Sequence, residues 1–127
     1  MDTLFAAHSG VRYLVLLMGL VALVWFAWGK ASGRPFSRPA PALLAGFVGF
    51  LDVQVLMGLV LLIGGRRPAA IWGHLATMLL AAVAIHTVAA VHNRRPGPAG
   101  YGLPLFGVAL TLGLIVLGIL SIGRPIF

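Results

Sequence analysis

The sequence predicts an all-α, four-helix transmembrane bundle, running up-down-up-down. Three observations predict it. Apolar runs of about 20 residues, enough to cross a ~30 Å hydrocarbon core, occupy roughly 10–29, 41–63, 71–91 and 103–122. The connections between them are short and rich in proline, glycine and arginine. Only 9% of residues are charged and 61% are hydrophobic, with a mean hydropathy of +1.07, against about 25% charged residues in an ordinary soluble domain. A soluble chain of 127 residues could not hide four helices that are apolar all round. The whole chain, 1–127, reads as a single integral-membrane domain.

Each span has a physical beginning and end. The first, Gly10–Gly29, follows MDTLFAAHS, which lacks the basic segment of a secretory signal and reads as retained. It stops at Lys30-Ala31-Ser32-Gly33-Arg34-Pro35, where glycine and proline break the helix. Span two, Pro41–Ile63, ends at Gly64-Gly65-Arg66-Arg67-Pro68. Span three, Ile71–Val91, is alanine-rich and ends at Asn93-Arg94-Arg95-Pro96-Gly97. Span four is Leu103–Ile122. Spans two and four carry Gly46, Gly49, Gly58, Gly107, Gly113 and Gly118. Such small residues either let membrane helices approach closely or leave room for a flat cofactor. Connections this short favour antiparallel neighbours.

The net charge of +7 does not point to nucleic acid. Lys30, Arg34, Arg38, Arg66, Arg67, Arg94, Arg95 and Arg124 all fall in connections or tails, and Arg12 lies in the first turn of span one. Basic residues at span ends anchor a protein to lipid headgroups. The two connections on one side carry five of them and the opposite side carries four. That bias places both termini outside. Trp25, Trp28 and Trp72 fall near span ends, as belt aromatics do. The absence of cysteine excludes disulfides, iron–sulfur ligation and thiolate chemistry. Any metal or haem would be held by histidine, methionine or oxygen. No phosphate loop, nucleophile constellation or zinc motif is present.

The chemistry therefore rests on a few residues near or inside the spans, where ionisable groups are costly and are functional candidates by default. His8 opens span one and His74 opens span three, so an antiparallel order puts both at the outer face at similar depth. Two imidazoles facing across a bundle core are a usual way to hold b-type haem; alternatively each sits among headgroups at its helix end. Arg12 follows His8 by one turn on the same face. It suits a haem propionate, or else snorkels or pairs with Asp2. His86 lies about 18 Å further along span three than His74 and about 120° away in azimuth. Ala82 and Ala90 flank it, giving a flat face for a second haem or for helix packing. His92 reads as interfacial. Asp52, mid-span two, needs a proton or a partner, and depth makes His86 that partner. Their pair reads either as a proton relay or as an interhelical polar clamp. Gln54 points to another face of span two.

Read together, these segments resemble a small four-span bacterial membrane family described as cytochrome-b-like. His8-Ser9-Gly10-Val11-Arg12-Tyr13-Leu14-Val15-Leu16 is similar to its opening HSG-x-RY-x-VL. Gln54 to Gly58 is similar to its second span, H-x-Q-x-x-x-G, and His74 to Leu80 with His86 to its third, H-x-x-x-M-L…H. One position departs: Asp52 stands where the family pattern often has histidine. The resemblance covers nearly the whole chain and implies at most one bis-histidine haem b near the outer face, held by His8 and His74. It also implies residence in the bacterial inner membrane. The expected function is a small b-type cytochrome-like subunit passing electrons between a quinone pool and a partner protein, an electron carrier rather than a stand-alone enzyme. Two alternatives stand beside it. One is a haem-free accessory subunit of a larger respiratory or photosynthetic complex, or a homo-oligomer, packing through its glycine faces. The other is a small transporter or proton pathway centred on Asp52 and His86, for which there is no internal repeat and no broken helix.

Overall fold

The computed structural model describes residues 2–65, 67–97 and 99–123; Arg66 and Arg124, counted above among the span-end anchors, lie outside them. The described residues form four helices: α1 (Asp2–Ala31), α2 (Ala40–Ile63), α3 (Ile71–Arg94) and α4 (Gly102–Ser121). All four are long and apolar enough to cross a membrane. Three match the apolar runs closely. The first differs: α1 begins eight residues before Gly10. Leu4, Phe5, Ala6 and Ala7 include good helix formers, and Asp2 sits in the first turn, where its charge favours the helix dipole. His8 is consequently inside the helix and not at its end.

Each helix packs against two neighbours, with α1 touching α2 and α4, and α3 touching α4 and α2. Close pairs run in opposite chain directions. His8 meets Gln54 and Gly58, whereas Gly19 meets Phe47. Likewise His74 meets Gly118, whereas Val88 meets Gly107. Between the helices lie Val15, Ala22, Phe26, Phe47, Leu51, Ala81, Ile85, Val108 and Ile115, all buried. Facing outward are Leu17, Val24, Leu56, Val60, Leu80, Val83, Leu117 and Leu120. Large apolar side chains turned both in and out are the pattern of helices whose solvent is lipid.

Glycine sets the helix spacing at several crossings. A Cβ at Gly19 would lie 2.5 Å from Leu112, and one at Gly107 would lie 2.5 Å from Val88. Only a hydrogen fits at such contacts, and the helices approach accordingly. Gly46 and Gly58 are less crowded, and a Cβ at Gly49 or Gly113 would meet nothing. The glycines of spans two and four thus divide between packing, site and open faces.

One end of the bundle is closed by rings. Phe36, from the first connection, packs on Phe26, Tyr101 and His92, with ring centroids 5.5, 5.1 and 4.5 Å away. The Phe36 backbone N–H donates to the Ala99 carbonyl at 3.3 Å, tying the first and third connections together. His92 is at a helix end, as its sequence position suggests, but is buried under Phe36. Trp28 stacks beneath the Arg34 guanidinium at 4.0 Å, so the span-end tryptophan and a loop arginine form one anchor.

Candidate histidine-paired cavity

The opposite end holds a cavity of about 350 Å³, mostly apolar, with His8, Arg12, Gln54, Gly58, His74 and Met78 on its walls. Its size falls in the range of small-molecule and cofactor sites, about 300–1,000 Å³. The two histidines that sequence order places at one face do meet. Their ring centroids are 6.5 Å apart and the planes cross at 83°.

Each imidazole is fixed by the same device. His8 Nδ1 lies 3.1 Å from the Gln54 carbonyl oxygen, and His74 Nδ1 lies 2.8 Å from the Gly118 carbonyl oxygen. A carbonyl can only accept, so each Nδ1 carries the hydrogen. In the neutral ring that leaves Nε2 with a free lone pair. An Nδ1–H donated to a backbone carbonyl is the outer support that orients metal-bound histidines and raises their basicity.

The supports are themselves held. Gln54 Nε2 donates back to the His8 carbonyl at 2.7 Å, so His8 and Gln54 form a two-way link between α1 and α2. The Gly118 carbonyl also accepts from Ser121 Oγ at 2.7 Å. Thr77 Oγ1 donates to the His74 carbonyl at 2.9 Å. Gly58 leaves space for the His8 ring, whose Cε1 would be 3.1 Å from a Cβ placed there.

Gln54 is the residue that sequence reasoning missed. It sits on a different face from Asp52, and that face is the buried one, with 8% of its surface exposed. A signal existed: a carboxamide in an apolar span is costly in lipid and asks for a partner. We expect Gln54→Leu to leave the fold intact but free the His8 carbonyl. It should cost about 1–2 kcal/mol and loosen the His8 ring. Thermal unfolding in detergent alongside cofactor titration of the same variant would check both.

Arg12 lies on the same cavity. Its Nη2 donates to the Tyr13 hydroxyl at 2.8 Å, while Nε is buried without a hydrogen-bond partner among the described residues. A guanidinium with an unmet N–H on a cavity wall is equipped to bind a carboxylate.

The fit of these residues to haem can be judged from the donors. The His8 and His74 ring centroids lie 6.5 Å apart, close enough for both imidazoles to serve one bound group. Among the described residues no three histidine, cysteine or acidic side chains assemble a metal cage. A haem iron needs only two, because the porphyrin supplies the rest. Apolar walls, two oriented imidazoles and an arginine with an unmet donor suit that group.

The other candidate pair forms elsewhere. His86 Nε2 and Asp52 Oδ1 are 2.8 Å apart, bridging α3 and α2 on the outer surface of the bundle. Neither residue lines the cavity. The azimuth separating His86 from His74 in sequence is thus realised, with one ring facing inward and the other outward.

Fold and site together define a class: a four-helix bundle of helices long and apolar enough to span a membrane, with a cavity near one end bearing paired imidazoles. Comparison with models of protein families, with curated proteins and with solved structures finds no match.

Proposed function

We propose that this chain is a small b-type cytochrome-like membrane subunit whose His8 and His74 ligate one haem b. The observation that carries the reading is the matched pair of imidazoles, 6.5 Å apart, each with Nδ1 held by a backbone carbonyl. The HSG-x-RY motif supports it from the sequence side, since His8 and Arg12 are both on the cavity wall. When bound, haem supplies one-electron chemistry. The chain's residues supply the rest. His8 and His74 present Nε2, Gln54 and Gly118 fix the rings, Arg12 receives a carboxylate, and Leu51, Leu75, Met78 and Ile119 exclude water.

The described chain is almost entirely helix, with no folded mass beyond the bundle ends. An electron carrier of this form works between a membrane-soluble donor, such as a quinol, and a partner protein. In this reading the chain resides in a bacterial inner membrane, and the His8–His74 end faces outward with both termini.

The test is a reduced-minus-oxidised absorption spectrum of protein purified in mild detergent from haem-replete cells, with a pyridine haemochrome assay. The expected result is a sharp α-band and about one haem per chain, as for a bis-histidine cytochrome. A flat spectrum from well-folded protein would sink the reading in favour of a haem-free accessory subunit.

A further inference from the structure

The Asp52–His86 bond is in an unusual place. Asp52 is at the midpoint of α2 (Ala40–Ile63), roughly 17 Å from either end at 1.5 Å per residue. His86 is eight residues short of the end of α3 at Arg94, roughly 12 Å deep by the same rise. Both therefore lie at hydrocarbon depth. Yet 53% of the His86 side chain and 41% of the Asp52 side chain are exposed on the outside of the bundle. Lipid tails offer no hydrogen bonds, so polar groups there face protein or water-filled cavities as a rule.

The inner bond uses His86 Nε2 and Asp52 Oδ1. No other hydrogen bond is made by either side chain among the described residues. That leaves one ring nitrogen, Nδ1, and one carboxylate oxygen, Oδ2. With one proton shared between Nε2 and Oδ1 and a second on Nδ1, the pair offers one donor, Nδ1–H, and one acceptor, Oδ2. Such a set is self-complementary: a second copy related by a two-fold axis presents its acceptor to the donor and its donor to the acceptor.

The surroundings allow the approach. Ala45 and Gly49 precede Asp52 on α2, four residues apart, and Ala82 and Ala90 lie one turn either side of His86 on α3. Gly49 and Ala45 are exposed, and a Cβ at Gly49 would meet nothing within the protomer. Small residues beside a polar pair are what membrane helix interfaces use in place of a hydrophobic drive.

We propose that the α2–α3 face is a homodimer interface, closed around two Asp52–His86 pairs by a two-fold axis in the membrane. The dimer takes the two pairs out of lipid and gives each a full set of hydrogen-bond partners. It does not depend on haem, whose cavity is on the other side of these helices.

The chain has no cysteine, so single-cysteine variants report cleanly on contacts. Full-length protein carrying Val83→Cys, on the proposed face, is reconstituted at low density in liposomes and treated with a short bis-maleimide. Leu110→Cys, exposed on α4, is the control. Dimer is expected for Val83→Cys and not for Leu110→Cys. Adding Asp52→Leu with His86→Leu should lower the cross-linked fraction about tenfold, the effect of one or two interhelical hydrogen bonds in lipid. If that double variant fails to fold, Gly49→Leu serves instead. It adds bulk on an open face and should also abolish cross-linking. The proposal is overturned by equal cross-linking at the two cysteines. It is overturned too by undiminished dimer after the polar or Gly49 substitutions, or by a monomer in single-molecule photobleaching. A Val83→Cys adduct only to a different chain in native membranes, with the purified protein monomeric, would reassign the face to another partner.

Discussion

Alanine at either His8 or His74 is expected to abolish the α-band, cutting the haem-to-protein ratio at least tenfold. The reasoning is about ligand number. A haem held by the His8 and His74 imidazoles would lose half its protein bonds when one is removed, and outer-support changes alone cost 10–100-fold in metal affinity. Neither substitution should unfold the bundle. Both rings border the cavity, so their loss enlarges a space without stripping the core of Val15, Phe47 and Ile85. Far-UV circular dichroism should thus stay native while the spectrum disappears. Added imidazole should restore part of the absorbance, because it can enter the vacated position. Asp52→Asn is the internal control. Its side chain is on the outer surface, away from the cavity, and its haem content should match the wild type. Equal haem in all three variants would show that ligation lies elsewhere.

The second large effect is expected at Gly118. A Cβ there would collide with the end of Met78 and would sit 2.5 Å from Thr77 Oγ1. Met78 can bend away, but Thr77 is β-branched and its hydroxyl is tied to the Gly73 and His74 carbonyls. Gly118→Ala therefore pushes α3 from α4, at a cost of about 1–3 kcal/mol typical of overpacking. It does more than that, because the Gly118 carbonyl is the acceptor for His74 Nδ1. The substitution should lower the melting temperature and the haem content together. Gly107→Ala separates the two effects. It drives a methyl into Val88 on the same helix pair, near the far end. It should lower stability comparably and leave the haem ratio of the folded fraction unchanged. Parallel melting curves and haemochrome assays on the two variants check this, and identical haem loss in both would remove the link between Gly118 and His74.

The fold was legible because span length is a hard constraint: about 20 apolar residues fit a bilayer and little else. The meeting of His8 and His74 was legible for a related reason. Antiparallel order alone brings the starts of the first and third helices to one end. The partnership of Asp52 with His86 followed from depth. Rotation about the helix axes was not legible, because helices apolar on every side carry no marker of which face turns inward. Gln54 shows the consequence. Its position two residues after Asp52 separates their faces, but only the packed structure shows that Gln54 is inside and Asp52 outside. The early start of α1 escaped for another reason: hydropathy marks where a helix is greasy, not where it begins, and the Asp2 to Ala7 turns are helical without being part of the apolar run.

The ring cluster of Phe26, Phe36, His92 and Tyr101 stands about 27 Å along α1 from His8, at ~1.5 Å per residue. With Gly29 pressed against the Tyr101 ring, it fills that end of the bundle among the described residues, while the cavity sits at the other. The molecule is thus two-ended, packed with rings at one end and hollow at the other. Whatever occupies the histidine end is held off-centre along the bundle, nearer one set of helix ends than the other.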